Sequence, residues 1–159
     1  MNYEEGKADE LKTKFWKAMA DSPFVFLERS ANPGEAVVMT AQLDKDANSS
    51  IWFFTTKDHH LAQMGPAIAT FASKGHDIFA RFHGTLTEET SRERLEEQWS
   101  QIMDAWFDGK DDPKLIMLRM DLGEAEIWNS DLGLINTAKM LLGQDVRDEA
   151  KEEHVETAL

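Results

Sequence analysis

No cysteine occurs among the 159 residues, which removes disulfides, thiolate catalysis and cysteine-ligated zinc or iron–sulfur centres together. No apolar run approaches the roughly 20 residues that span a bilayer. The amino terminus, MNYEEGKADELK, is acidic where a signal peptide would be basic and then apolar, so a soluble, cytoplasmic protein is expected. Positive charge is scarce as well: 17 Lys and Arg against 30 Asp and Glu give a formal net charge of −13. Such a surface repels nucleic acid and anionic membrane, and neither is an expected partner. Small ligands stay open, because a local cationic pocket can persist inside an acidic protein. The GxSxG of serine hydrolases, the GxGxxG of dinucleotide sites and the Walker phosphate loop are all missing.

What is present is a packed globular composition, 42% hydrophobic with five tryptophans. No internal repeat and no linker divides it. Residues 1–143 read as a single domain, and 144–159 as a charged, frayed tail. From Glu5 to Met19 an amphipathic helix is expected, with Leu11, Phe15, Ala18 and Met19 on one face, stopped by Asp21-Ser22-Pro23. Strand-length runs follow at Phe24–Glu28, Ala36–Leu43, Ile51–Thr56, Ala67–Ala72 and Ile78–Leu86. In the last, Ile78, Ala80, Phe82, Gly84 and Leu86 share one face, and Gly84 predicts a bend or a close approach of other backbone. Thr90 with Glu93 makes a capping-box pattern ahead of Leu95, Trp99, Ile102, Met103, Trp106 and Phe107, predicting a long helix that Gly109 ends. Leu115–Met120 and Glu124–Trp128 are expected as a final hairpin, and Ile135–Leu142 as a short terminal helix. Consecutive strands on short loops favour antiparallel pairing. The fold class is therefore mainly β (α+β), a barrel or curled sheet with helical caps.

The stretch IWFFTTKDHH, residues 51–60, passes from four large apolar residues to hydroxyls, a cation, a carboxylate and two imidazoles. Thr55 and Thr56 offer hydroxyls and backbone N–H groups, Lys57 adds charge, and 58–64 can open a helical turn. That combination makes a general anion site, with a solvent-exposed loop as the plainer alternative. No metal site is expected. His59 and His60 diverge by about 100° on a helix, and His76 and His83 lack HExxH or facial-triad spacing. His154 falls in the charged tail, where solvation is expected. Glu88-Glu89 and Glu96-Glu97 read as solvated faces. Trp99 and Trp106 read as core or dimer contacts. Trp128 ends a strand just before Asn129-Ser130-Asp131, at the kind of rim where ligands meet barrels, although packing alone would also account for it. No side chain stands out as a general acid or base.

The order of features resembles the general stress protein 26 family of pyridoxamine 5′-phosphate oxidase-like, FMN-binding split barrels. The carriers are WFFTTKD at 52–58, HG at 83–84, EEQWSQIMDAWFDGKDDPKLIMLRM from Glu96 to Met120, and AEIW from Ala125 to Trp128. The resemblance implies an antiparallel Greek-key split β-barrel with flanking helices, forming a homodimer with two FMN sites at the subunit interface. It implies that Val37, Val38 and Met39 line the flavin ring, and that Thr55, Thr56 and Lys57, with His59 and His60, lie against ribityl and phosphate. Trp128 would approach the flavin from a late hairpin, while Trp52, Phe53 and Phe54 pack the barrel and dimer. The chain departs from the family where an Arg-Pro pair is replaced by Val37-Val38 and a lysine by Leu61. Charge-assisted bonds to phosphate are worth about 1.5–3 kcal/mol each, so two lost cations predict weakened FMN binding. After Trp128 the chain runs Asn129-Ser130-Asp131-Leu132-Gly133 rather than the substrate-holding Arg-Leu-His-Asp-Arg-like stretch, so pyridoxamine-phosphate oxidase activity itself is not expected. Two functions follow from the resemblance: a flavin-dependent oxidoreductase acting on a small substrate in a stress response, and a non-catalytic split barrel that sequesters flavin or senses another anionic planar ligand.

Overall fold

The computed structural model of the protein describes residues 5–44, 49–130 and 154–159. Helix α1 (Glu5–Asp21) leads into β1 (Phe24–Arg29), β2 (Val37–Thr40), β3 (Gln42–Leu43) and β4 (Ser50–Thr56). A 3-10 turn (His60–Gln63) then precedes β5 (Gly65–Ala72) and β6 (Ile78–Glu88). Helix α2 (Arg92–Gln98), a second 3-10 turn (Met103–Ala105), β7 (Leu115–Asn129) and β8 (His154–Ala158) complete the order. The eight strands form one sheet in the order β2-β1-β5-β6-β7-β4-β3, with β8 added on β7. Every pairing is antiparallel.

The sheet curls because one short segment reaches both of its ends. β2 and β3 lie at opposite ends of the strand order, yet only Ala41 separates them in sequence. Val37–Thr40 pairs with β1, whereas Gln42 and Leu43 pair with Trp52 and Ile51 of β4. Ala41 is buried, and its N–H donates to the Pro23 carbonyl at 2.7 Å. The run expected as one strand over Ala36–Leu43 is thus divided at a pivot, and the barrel is nearly closed and split there. This is the mainly β barrel expected from the strand pattern, in the split form that the family resemblance implies.

Both faces of β4 are covered, which accounts for its unbroken apolar run. Ile51 and Phe53 are fully buried in the barrel. On the other face, the Arg94 guanidinium lies 4.2 Å from the Trp52 ring and Trp52 Nε1 donates to Glu89. Phe54 meets Trp99 edge-on at 5.8 Å. The covering segment is not the long helix that periodicity predicts. α2 ends at Gln98, its first turn is capped by Ser91 Oγ rather than Thr90, and Trp99 is extended. A seven-residue helix has little stability of its own, so contacts with Trp52 and Phe54 decide where it stops. Ile102 and Trp106, expected on the apolar stripe, are 72% and 78% exposed.

β7 replaces the predicted final hairpin with one 15-residue strand. Its first half pairs with β4, its second half with β8, and β6 runs along both. Gly84 of β6 sits where the register shifts, and a Cβ there would stand 2.5 Å from the Asp121 carbonyl oxygen. The close approach predicted at Gly84 is therefore present. The tail expectation is corrected for its last residues: His154–Ala158 is not frayed but forms β8 on β7, with Val155 fully buried. The expected helix at Ile135–Leu142 lies outside the described residues. From α1, the fully buried Leu11, Phe15 and Met19 enter the core, where Phe15 meets Phe71 and Phe82 edge-on. No helix of the described residues is long and apolar enough to cross a membrane.

Candidate functional site

At the end of β4 the alternation continues, so Thr55 turns inward and is buried while Thr56 faces out. A hydrogen bond from the Thr56 hydroxyl holds the Asp58 carboxyl below its ordinary range, with backbone donation adding to the effect. Lys57 is exposed at the mouth of a cleft of about 340 Å³ whose wall also carries Glu88, Ser91, Arg92 and Lys110. The turn that follows is the 3-10 turn beginning at His60, close to the helical start that the sequence predicts.

The two histidines do different work. His59 Nδ1 accepts the Leu61 N–H at 3.1 Å, so in the neutral ring the hydrogen sits on Nε2. Burial lowers the His59 pKa, and the nearby His60 lowers it further. His59 therefore offers a neutral N–H donor rather than a positive charge. His60, stacked on it at 4.4 Å, has Nε2 within 3.1 Å of the Glu35 carbonyl oxygen. A carbonyl only accepts, so His60 Nε2 is the donor. Leu61 is fully buried and belongs to the core.

The His60–Glu35 bond ties the turn after β4 to the segment entering β2. Arg29 reinforces the tie: Nε donates to the Met64 carbonyl at 2.7 Å, and Nη1 donates to Asn32 Oδ1 and Gln63 Oε1. Met64 has φ 63°, a left-handed conformation uncommon outside glycine, and Arg29 bonds to that residue's own carbonyl. The turn after β4 and the segment that enters β2 thereby meet at one corner. Val37 and Met39 pack against the core, and Val38 is 59% exposed.

Trp128 does not join them. It lies opposite Phe79 and His154 on the second half of β7, stacked on the His154 ring at 5.0 Å. Three strands separate β2 from β7 in the sheet order, a path of about 19 Å at the usual strand spacing. The outer face between them carries Phe24, Phe26, Val38 and Phe79, all exposed. Phe26 pairs directly with Val38 across β1 and β2. Sequence reasoning did not single out Phe24 or Phe26. The available signal was the continuous apolar run FVFL, which leaves no polar face for water.

Comparison with known proteins adds to this geometry. The profile of the family described as "Pyridoxamine 5'-phosphate oxidase like" matches residues 10–152. A structure described as a general stress protein 26 from Jannaschia sp. CCS1 is 30% identical, covering 95% of this chain and 99% of that one at a TM-score of 0.76. The general stress FMN/FAD binding protein from Xanthomonas citri is 40% identical, covering 79% of this chain and 93% of that one at a TM-score of 0.72. General stress protein 26 of Bacillus subtilis (strain 168) is 32% identical over 54 residues, 34% of this chain, and the match spans 39% of that protein.

Proposed function

The chain belongs to the pyridoxamine 5′-phosphate oxidase-like family, and from that premise we propose that it binds FMN in a cleft completed by a second copy of itself, for use in an oxidoreductase reaction. The observation that carries this reading is the junction, through the His60–Glu35 bond, of the turn that follows Thr55–Lys57 with the segment that enters Val37–Met39. One side of that junction is apolar and strand-edged, suited to a flat ring. The other side carries N–H and hydroxyl donors and one lysine, suited to a phosphorylated tail. The relative from Xanthomonas citri, described as FMN/FAD binding, supports the same ligand.

The residues fit the cofactor with a lighter phosphate grip than the family pattern implies. Lys57 supplies the cation, and His59 Nε2–H supplies a neutral donor. Val38 presents an apolar surface to the ring. The bound flavin would supply hydride or single-electron transfer. The chain's own part is to orient the ring against β2 and to hold the tail at the β4 corner. Trp128 and Val38 stand on strands of the same chain that are not neighbours in the sheet. A partner chain presenting Trp128, docked through Phe24, Phe26 and Val38, would close the cleft and cover an exposed apolar face.

A second reading, flavin sequestration without turnover, draws on Leu61. That side chain is fully buried, so the position given to a phosphate-facing lysine by the family resemblance is committed here to the core. Two observations on freshly purified protein test these readings. Flavin absorption in the blue, bleached by NAD(P)H and restored by an acceptor, is expected for the oxidoreductase; bound flavin that stays inert supports the carrier. A colourless preparation showing no tryptophan quenching with micromolar FMN contradicts both.

A further inference from the structure

We infer that Glu126, His154 and Glu156 form a binding site for one divalent transition-metal ion of the zinc class, where β8 pairs with β7. Strand register assembles the set. Glu126 lies directly opposite Glu156, and Trp128 lies opposite His154 one step along the same face. One donor atom from each of the three residues lies within 4.8 Å of the other two. His154 Nε2 is 3.6 Å from Glu126 Oε2. In a tetrahedral zinc site, bonds of about 2.0–2.2 Å place neighbouring donors about 3.4 Å apart. The His154–Glu126 edge is already near that length, so the exposed Glu156 makes most of the closing movement. One imidazole nitrogen with two carboxylate oxygens is a zinc-type donor set that leaves a position for water.

Two neighbours orient the ligands from outside. Arg81 Nη2 donates to Glu126 Oε1 at 2.7 Å, leaving Oε2 to the His154 contact. The Trp128 ring stacks on His154 within 14° of parallel and fixes the imidazole plane. Partners of this kind set ligand direction in metal sites. Glu126 and Glu156 line a cleft of about 220 Å³ that also carries Arg81, His83 and Glu124. Three carboxylates face one guanidinium there, a balance that favours a cation. Like charges directly opposite on paired strands repel, and a metal between Glu126 and Glu156 removes that repulsion. An ion-pair chain of Arg81, Glu126 and His154 alone makes no use of Glu156, which separates the two explanations.

The test is calorimetric titration of zinc chloride into the tag-free full-length chain after chelator treatment, independent of any flavin. One zinc per chain is expected. His154→Ala and Glu156→Gln are each expected to weaken binding about tenfold or more, and Arg81→Gln about tenfold. Circular dichroism of each metal-free variant checks that the barrel is intact, and Glu96→Gln, on the far helix, serves as the unaffected control. Absence of saturable zinc binding overturns the site. So does an isotherm unchanged by Glu156→Gln, and so does equal competition by magnesium.

Discussion

His60 Nε2 donates to the backbone carbonyl of Glu35 across 3.1 Å, joining the turn after β4 to the approach to β2. Twenty-five residues separate the two in sequence, so the bond makes one corner from two distant segments. Removing it with His60→Ala should lower unfolding free energy by about 1 kcal/mol, the usual worth of one such bond. FMN affinity should fall several-fold as well, because the two walls of the cleft lose their common anchor. Urea unfolding and fluorescence titration measure the two effects. Loss of stability with unchanged affinity would detach the corner from ligand binding.

Lys57 is exposed. Lys57→Ala should leave stability unchanged and weaken FMN by about 1.5–3 kcal/mol, the range for a charge-assisted contact. Riboflavin, which lacks the phosphate, should bind the variant and the parent alike. Equal loss for both ligands would place Lys57 against the ring or outside the site.

His59 gives the corner a pH dependence. Burial lowers its pKa below the ordinary 6.5, with His60 contributing further. The unfolded chain then takes up the proton more readily than the folded one. The stability that depends on neutral His59 is present above pH 6.5 and is lost as pH falls through the folded value. His59→Gln keeps an acceptor for the Leu61 N–H but does not titrate. Stability measured by urea unfolding should therefore decline less steeply on the acid side of 6.5 in the variant than in the parent.

Gly84 offers a test of the fold itself. A Cβ there would meet the Asp121 carbonyl oxygen at 2.5 Å and Met120 Cγ at 3.0 Å, whereas at Gly75 the nearest atom is 3.6 Å away. Gly84→Ala should cost about 1–3 kcal/mol through overpacking, and Gly75→Ala much less. Comparison of the two urea midpoints decides the matter.

The elements with a strong period were legible in the sequence. The burial alternation of β6, the apolar face of α1 and the helical turn after Lys57 all stand where pattern reasoning places them. Failures came where tertiary contacts override local pattern. Ala36–Leu43 looks like one strand because nothing local shows that its halves pair with β1 and β4. The 92–107 segment has helical periodicity, but covering Trp52 and Phe54 turns Trp99 out of the helix. Leu122-Gly123 resembles a turn, but pairing with β6 on both sides of a register shift carries β7 on as one strand. The site was legible as residue types but not as roles. His59 and His60 are adjacent, yet one caps its own turn and the other reaches back to Glu35. His154 was unreadable as a neighbour of Trp128, because strand pairing alone connects them.

The central claim is a flavin cleft completed by two chains, and one variant tests it directly. Phe26 is 54% exposed and pairs with Val38 on the outer face, so Phe26→Asp puts a charge there without disturbing the core. Sedimentation combined with FMN titration should show a dimer binding one FMN per chain for the parent. For Phe26→Asp it should show a monomer whose FMN affinity is weaker by about tenfold or more, equivalent to 1.4 kcal/mol or more. A monomeric parent, or a monomeric variant that binds FMN as tightly as the parent dimer, would contradict the account.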